Sequence, residues 1–171
     1  MSDYTVRIEG LDELRRRFAE SPELMERETR RALRVSIDHI EEQVAGRTPV
    51  NIGALRGSIA TEIRGNQMNL RGIVGTPLIY GLPVEMGREP GKMPPVDAIE
   101  YWVIRKGIAS PPESRSVAFL IARAIGAGTS RGIMRPGGGA RMFEKGLEAS
   151  MGTVEKVFDG AVERIVERLA G

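Results

Sequence analysis

Apolar residues recur at helical spacing along two long segments of the chain. The first opens with Ser21, Pro22 and Glu23 and ends near Gly46, because a serine N-cap, a first-turn proline and an early acid favour a helix start. The second runs from residue 142 to residue 169, and its apolar positions step by four and three. These positions are Leu147, Met151, Val154, Phe158, Ala161 and Ile165. This heptad-like seam predicts a long helix buried against a sheet or a neighbouring subunit.

Shorter segments alternate between apolar and polar residues, as half-buried strands do. Residues 4–8 alternate in this way and precede a helical apolar pattern over residues 11–20. Residues 58–64 and 68–74 form a second pair of candidate strands around the turn residues 65–67. This arrangement is typical of a β-hairpin.

The middle of the chain holds a further apolar run and two short helical patterns. Leu78 to Met86 contains a proline, which edge strands tolerate, and we predict an irregular edge strand there. Val96 to Lys106 and Val117 to Ile125 predict short helices, joined by a turn at Pro111 and Pro112.

These elements predict an α+β fold class, in which a small antiparallel β-sheet packs against long N-terminal and C-terminal helices, with Gly/Pro-rich loops. The 171 residues, 41% hydrophobic and 28% charged, favour one domain over residues 1–171, with a helical insertion at about residues 88–140. No apolar run reaches the length of a membrane span, and the first residues lack the features of a signal peptide. We therefore expect a cytoplasmic product without membrane contact.

The sequence offers little catalytic chemistry. It contains no cysteine, which excludes disulfides, thiolate metal sites and cysteine nucleophiles. The single histidine, His39, lies beside acids within the first long helix, but a metal site needs further ligands. The Gly-rich stretch Pro136 to Arg141 lacks the Lys-Ser/Thr pair of a phosphate-binding loop and predicts a flexible loop. We expect no enzymatic activity, no cofactor and no metal.

Glu85 stands apart from the other acids because it lies between the apolar residues Val84 and Met86. Such an acid can be buried, and buried acids can be catalytic. No second carboxylate or acyl-transfer set accompanies it. We therefore predict that Glu85 lies at a subunit contact and pairs there with a basic residue.

Two motifs are the most informative parts of the chain. In the first, Pro49 disfavours helix at the preceding residue, Gly53 suits a turn, and Leu55 restarts the apolar pattern. We interpret Pro49, Gly53 and Leu55 as a structural turn motif between helix and sheet, with Gly53 in a conformation that a side chain would strain. The second motif contains Tyr80 and then Val-Glu-x-Gly, ending at Gly87.

In this order, and with a strand pair between them, the two motifs resemble those of the small tail-component proteins of long-tailed bacteriophages, which complete the tail and join it to the head. The matching residues are Thr48, Pro49, Val50, Gly53, Leu55, Ser58, Ile59, Tyr80, Val84, Glu85 and Gly87. Trp102, the Gly-rich loop and the closing helix that begins near Phe143 fit the longer members of that family. The resemblance therefore spans most of the chain, although its motifs are structural.

The resemblance implies a structural virion protein, a tail-completion or neck component that assembles as a ring joining tail to head. Its implied partners are further copies of itself in a hexameric ring, a tail tube or tail terminator protein, and head-completion or portal-side proteins. Its implied location is the virion neck or upper tail, after assembly in the host cytoplasm. The residues we expect at subunit or partner contacts are Tyr80, Leu82, Val84, Glu85, Arg131 and Arg135.

A different function is open for the basic segment, residues 88–141. Basic residues outnumber acidic ones there, so the segment could serve as a non-enzymatic nucleic-acid or anion binding module. A solvated charged face explains the same composition. Aromatic residues make up only 5% of the chain and do not alternate with basic ones as in single-strand binders. DNA passes through a phage neck, but we expect no specific nucleic-acid binding.

Overall fold

The computed structural model describes residues 16–17, 19–66, 69–130 and 138–170. Its elements, in chain order, are α1 (Pro22–Arg47), α2 (Ala54–Gly57), β1 (Ala60–Arg64), β2 (Arg71–Gly75), α3 (Gly81–Met86), α4 (Val96–Arg105), α5 (Glu113–Gly126) and α6 (Met142–Ala170). The α+β class, with a two-stranded antiparallel sheet and long helices near both ends, is therefore confirmed. The predicted strand at residues 4–8 lies outside the described residues, as do Arg131 and Arg135.

The chain divides into two compact units. The first unit comprises Met1–Gly46, Ile59–Gly75 and Gly146–Gly171, and the second comprises Arg47–Ser58 and Thr76–Lys145. The second unit includes the segment at residues 88–140 in which we predict an insertion, and the single-domain assignment stays a prediction. In the described part of the chain, no helix is both long enough and apolar enough to cross a membrane.

In the first unit, the predicted hairpin packs on α1. Strands β1 and β2 pair antiparallel in a register that places Ala60 opposite Gly75. At Gly72 the hairpin comes so close to α1 that an added Cβ would lie 2.4 Å from Cγ2 of Ile37 and 2.9 Å from Cδ1 of Leu33. Glycine at position 72 therefore lets the sheet reach the apolar face of the helix.

A buried charge joins α1 to α6 in the first unit. The side chain of Glu28 is only 2% exposed, and its two carboxylate oxygens accept hydrogen bonds from Arg164 at 3.0 Å and from Arg168 at 2.9 Å. A third cation, the guanidinium of Arg27, lies 3.7 Å away. Both oxygens are thus bound, as a carboxylate removed from water requires.

The predicted seam of α6 is buried only in part. Ala161 and Ile165 are buried, whereas Leu147 and Met151 are exposed. The reason is that Gly146 faces α1 at this end of the helix, where an added Cβ would lie 2.6 Å from Cγ2 of Val44. The small residues Gly146 and Ser150 therefore face α1. Leu147 and Met151, each one position later in the helix, point outward.

In the second unit, residues 81–86 form the helix α3, so the edge strand predicted for this run is wrong. The amide of Gly81 donates to the carbonyl of Leu78 at 2.8 Å, and the amide of Val84 donates to the carbonyl of Tyr80 at 3.2 Å. Pro83 lies in the first turn, where a helix needs no amide donor. The proline that suggested an edge strand is therefore compatible with a helix start.

The two predicted short helices are confirmed as α4 and α5, which pack on each other in the second unit. Val103 of α4 and Ala118 and Ala122 of α5 are fully buried. Arg115 of α5 binds Asp97 at 3.0 Å and Glu100 at 3.1 Å across the pair. Helix α5 begins at Glu113, earlier than predicted, because an acid directly after a proline is itself a favourable helix start.

The Glu28 cluster predicts a dependence of stability on pH. The hydrogen bond from Arg164, together with the neighbouring arginine charges, holds the pKa of Glu28 below its ordinary value of 4.5, although burial opposes this. Its stabilisation is therefore fully present above the unfolded pKa and is lost as pH falls through the lower folded pKa. We expect Glu28→Gln to lower the urea midpoint at neutral pH and to flatten its dependence on pH in the acid range.

The matched control is Glu62→Gln. A hydrogen bond from Arg64 also lowers the pKa of Glu62, but this pair is exposed, and exposed pairs contribute little. Urea unfolding followed by circular dichroism at several pH values compares the two variants. Equal midpoints for Glu28→Gln and the wild type at neutral pH would show that Glu28 does not anchor α1 to α6.

Candidate interaction surface

The turn motif is built as the sequence predicts. Gly53 has a φ of +82°, in the left-handed region that favours glycine, and its carbonyl accepts the amide of Gly57 at 2.8 Å. Leu55, in the short helix that follows, is buried. The predicted strained conformation at Gly53 is therefore confirmed.

A polar link ties the turn motif to the segment before α3. The hydroxyl of Ser58 donates to the carbonyl of Leu55 at 2.8 Å and lies 2.6 Å from the hydroxyl of Thr76. The same threonine oxygen accepts the amide of Leu78 at 3.2 Å. Beside it, an added Cβ at Gly81 would lie 2.6 Å from Cγ2 of Thr76. These contacts bring the two sequence motifs together within the second unit.

Both motifs line one open groove of about 460 Å³. The groove is lined by Pro49, Val50, Asn51, Ile52, Gly53, Ala54, Leu55, Tyr80, Val84, Trp102 and Lys106. Trp102 is half-buried and forms part of this wall. The wall is largely apolar and contains no acidic side chain, so it is better suited to an apolar partner surface than to chemistry.

Glu85 holds the start of α6. One carboxylate oxygen accepts the amide of Phe143 at 3.0 Å, and the other accepts the amide of Glu144 at 3.1 Å. The main chain supports the same contact, because the carbonyls of Val84 and Glu85 accept the amides of Ala140 and Arg141 at 2.7 Å and 3.0 Å. Both carboxylate oxygens are therefore engaged within the chain, and pairing of Glu85 with a basic residue of another subunit stays a prediction.

Large apolar side chains of the two motifs are exposed in this part of the second unit. Val50, Ile52 and Tyr80 line the groove, whereas Leu82 and Met86 line a second open cleft beside Arg141 and Glu144. We call the exposed set the apolar rim: Val50, Ile52, Ile79, Tyr80, Leu82 and Met86. Of the residues expected at a contact, Tyr80 and Leu82 belong to the rim, whereas Val84 is buried beneath it. Ile79 and Met86 lie in the apolar run Leu78 to Met86, which we also expect at subunit contacts. The sequence did not single out Ile52, because an apolar residue gives no sign in sequence of whether it points inward.

The basic side chains of residues 88–141 are in several cases bound within the chain. Arg88 donates to the carbonyl of Lys92 at 2.6 Å, and Arg105 donates to the carbonyl of Asn51. Arg115 is paired as described above, and Arg141 lies 3.1 Å from Glu144. Among the described residues there is no cluster of His, Asp or Glu that could hold a metal ion.

Comparisons with known proteins found no relative of this chain. No family model, no curated protein and no solved structure matches it.

The backbone conformation at Gly53 predicts that alanine substitutions at Gly53 and Gly57 will change the free energy of unfolding by different amounts. An added Cβ would have open space at both Gly53 and Gly57, but only Gly53 has a positive φ. We expect Gly53→Ala to lower the free energy of unfolding by about 1–2 kcal/mol, the cost of a left-handed alanine. Gly57→Ala should change it by less than about 0.5 kcal/mol. Urea unfolding measures both, and equal effects would contradict a strained turn.

The carboxylate of Glu85 predicts a second effect on stability. Glu85→Ala leaves the amides of Phe143 and Glu144 without their acceptor, which should cost about 0.5–2 kcal/mol, as the loss of a helix cap does. Hydrogen exchange at these two amides should increase. The exposed neighbour Glu89 supplies the control variant, Glu89→Ala, and unchanged exchange in Glu85→Ala would show that the cap is dispensable.

Proposed function

We propose that this chain is a structural virion protein of a tailed bacteriophage, a tail-completion or neck component that assembles as a ring joining tail to head. The observation that carries the proposal is the apolar rim, together with the largely apolar groove that part of it lines. Exposed apolar side chains gathered in one part of a molecule mark sites of protein interaction. The rim is built from the same two motifs on which the resemblance to phage tail components rests.

Helix α3 presents part of this rim in a fixed orientation. Leu82 and Met86 are one turn apart and point outward, while Val84 is buried and Glu85 is bound to the start of α6. A side chain held on such a support loses little freedom when a partner covers it. This preorganisation supports a role in stable assembly.

The partners we propose are further copies of this chain in a hexameric ring, a tail tube or tail terminator protein, and head-completion or portal-side proteins. The proposed location is the neck or upper tail of the virion. The alternative of a nucleic-acid or anion binding module receives less support, because Arg88, Arg105, Arg115 and Arg141 are engaged with groups of the same chain. We propose no enzymatic activity.

Leu82→Asp tests the rim as a contact. Leu82 is 66% exposed, so the substitution should change the free energy of unfolding by no more than about 0.5 kcal/mol. A charge buried without a partner on association costs several kcal/mol, so joined particles should fall by roughly 100-fold. The variant would be supplied to a phage whose copy of this gene is deleted, and tails, filled heads and joined particles would be counted by electron microscopy.

The control is Leu120→Asp, which places the same charge on α5 at a leucine that is 61% exposed. It lies outside the apolar rim and should leave joining unchanged. If folded Leu82→Asp protein yields infectious particles at the wild-type level, the rim is not a contact. If deletion of the gene leaves heads and tails joined, the neck function itself is wrong.

A further inference from the structure

Helix α6 carries an exposed apolar stripe with acids along one side. Met151, Val162 and Val166 are exposed, and the exposed acids Glu155, Asp159 and Glu163 lie at four-residue steps beside them. Residues at this spacing share one helix face. We call these six residues the acidic stripe.

Helix α1 carries a short exposed stretch of the opposite charge, which ends at the acid Asp38 on the same face. Arg27, Arg31 and Arg34 are exposed and lie at steps of four and three, so they form one row. Val35 is exposed beside them. We call these four residues the basic face.

We propose that the acidic stripe of one copy docks on the basic face of a second copy. The contact joins different surfaces of two identical chains, and a contact of this kind can close into a ring. The contact deepens the proposed function. Only its role in closing a neck ring rests on that function. Two acidic stripes cannot pair with each other favourably, because their acids would repel.

The spacing of the charges allows three opposite pairs to form, for example when the two helices run antiparallel. The three acids span eight residues and the three arginines seven, or about 12 Å and 10.5 Å of helix at 1.5 Å per residue. When Glu155 lies opposite Arg34, Asp159 reaches Arg31 and Glu163 reaches Arg27. Met151 then lies opposite Asp38.

Charge exchange tests this contact in the purified full chain. One variant carries Arg31→Glu and Arg34→Glu, a second carries Glu155→Lys and Asp159→Lys, and a third combines all four substitutions. Arg27 is left in place because it also lies near Glu28. The control, Arg56→Glu with Arg123→Glu, makes the same change in net charge as the first variant, at exposed residues outside both surfaces.

Sedimentation velocity across a concentration series gives the concentration at which half of the protein is assembled. We expect each two-residue variant to raise it by at least about tenfold, because like charges then face each other. An equimolar mixture of the two variants, and the four-residue variant alone, should return to within about threefold of the wild type, because opposite charges face each other again. The control should behave as the wild type does.

Three results would overturn the contact: a wild-type protein that stays monomeric at every concentration, two-residue variants that assemble normally, or a folded four-residue variant that does not assemble. If a reversed variant loses its helical circular dichroism signal, Glu155→Gln with Asp159→Asn replaces it, with an expected shift of about threefold. The neck function fails separately, since it falls if deletion of the gene leaves heads and tails joined, whatever the purified protein does.

Discussion

The amide groups at the start of α6 impose the constraint on which the candidate surface depends. A helix start leaves amides that need acceptors, and the residue before Met142 is Arg141, which has no side-chain oxygen to offer and has a φ of +52°. Glu85 supplies the two missing acceptors. This contact fixes α3 against the start of α6, and the exposed side chains of Leu82 and Met86 line the open cleft beside it.

A second constraint is the close approach of backbones in the first unit. Gly72 allows the hairpin to touch α1, and Gly146 allows α6 to touch it. Larger residues at these positions would push the elements apart. Close packing through small residues has a consequence for the surface, because the larger apolar side chains that follow Gly146 in α6, Leu147 and Met151, remain exposed.

The sequence predicts those elements whose signals are local. A serine, a proline and an acid mark the start of α1, alternation marks the hairpin, and Gly53 marks the turn. The edge strand at residues 78–86 was wrong because a short apolar run that contains a proline fits a strand edge and a first helical turn equally well. Helix α6 was located correctly, but its heptad pattern alone could not show which apolar positions face α1.

The candidate surface was less predictable because it depends on contacts between residues distant in sequence. The partner of Glu85 lies 58 residues away, and no pattern within the segment shows that the carboxylate binds amides rather than a cation. The same holds for Thr76, which links the two motifs through Ser58. The motifs themselves are visible in the sequence, whereas the direction in which Ile52, Ile79 and Met86 point becomes visible only in the folded chain.

The two proposed contact surfaces share one principle of construction. In each, a polar group anchors the inner side of a helix: Glu85 binds the start of α6 behind α3, and Glu28 binds Arg164 and Arg168 of α6. The outer side is then free to carry apolar residues. The surfaces differ in charge, since acids border the apolar stripe of α6, whereas no acid lines the groove beside the rim. Salt screens exposed charges but not apolar contacts, so ionic strength should weaken the helix contact selectively and separate self-assembly from binding at the rim.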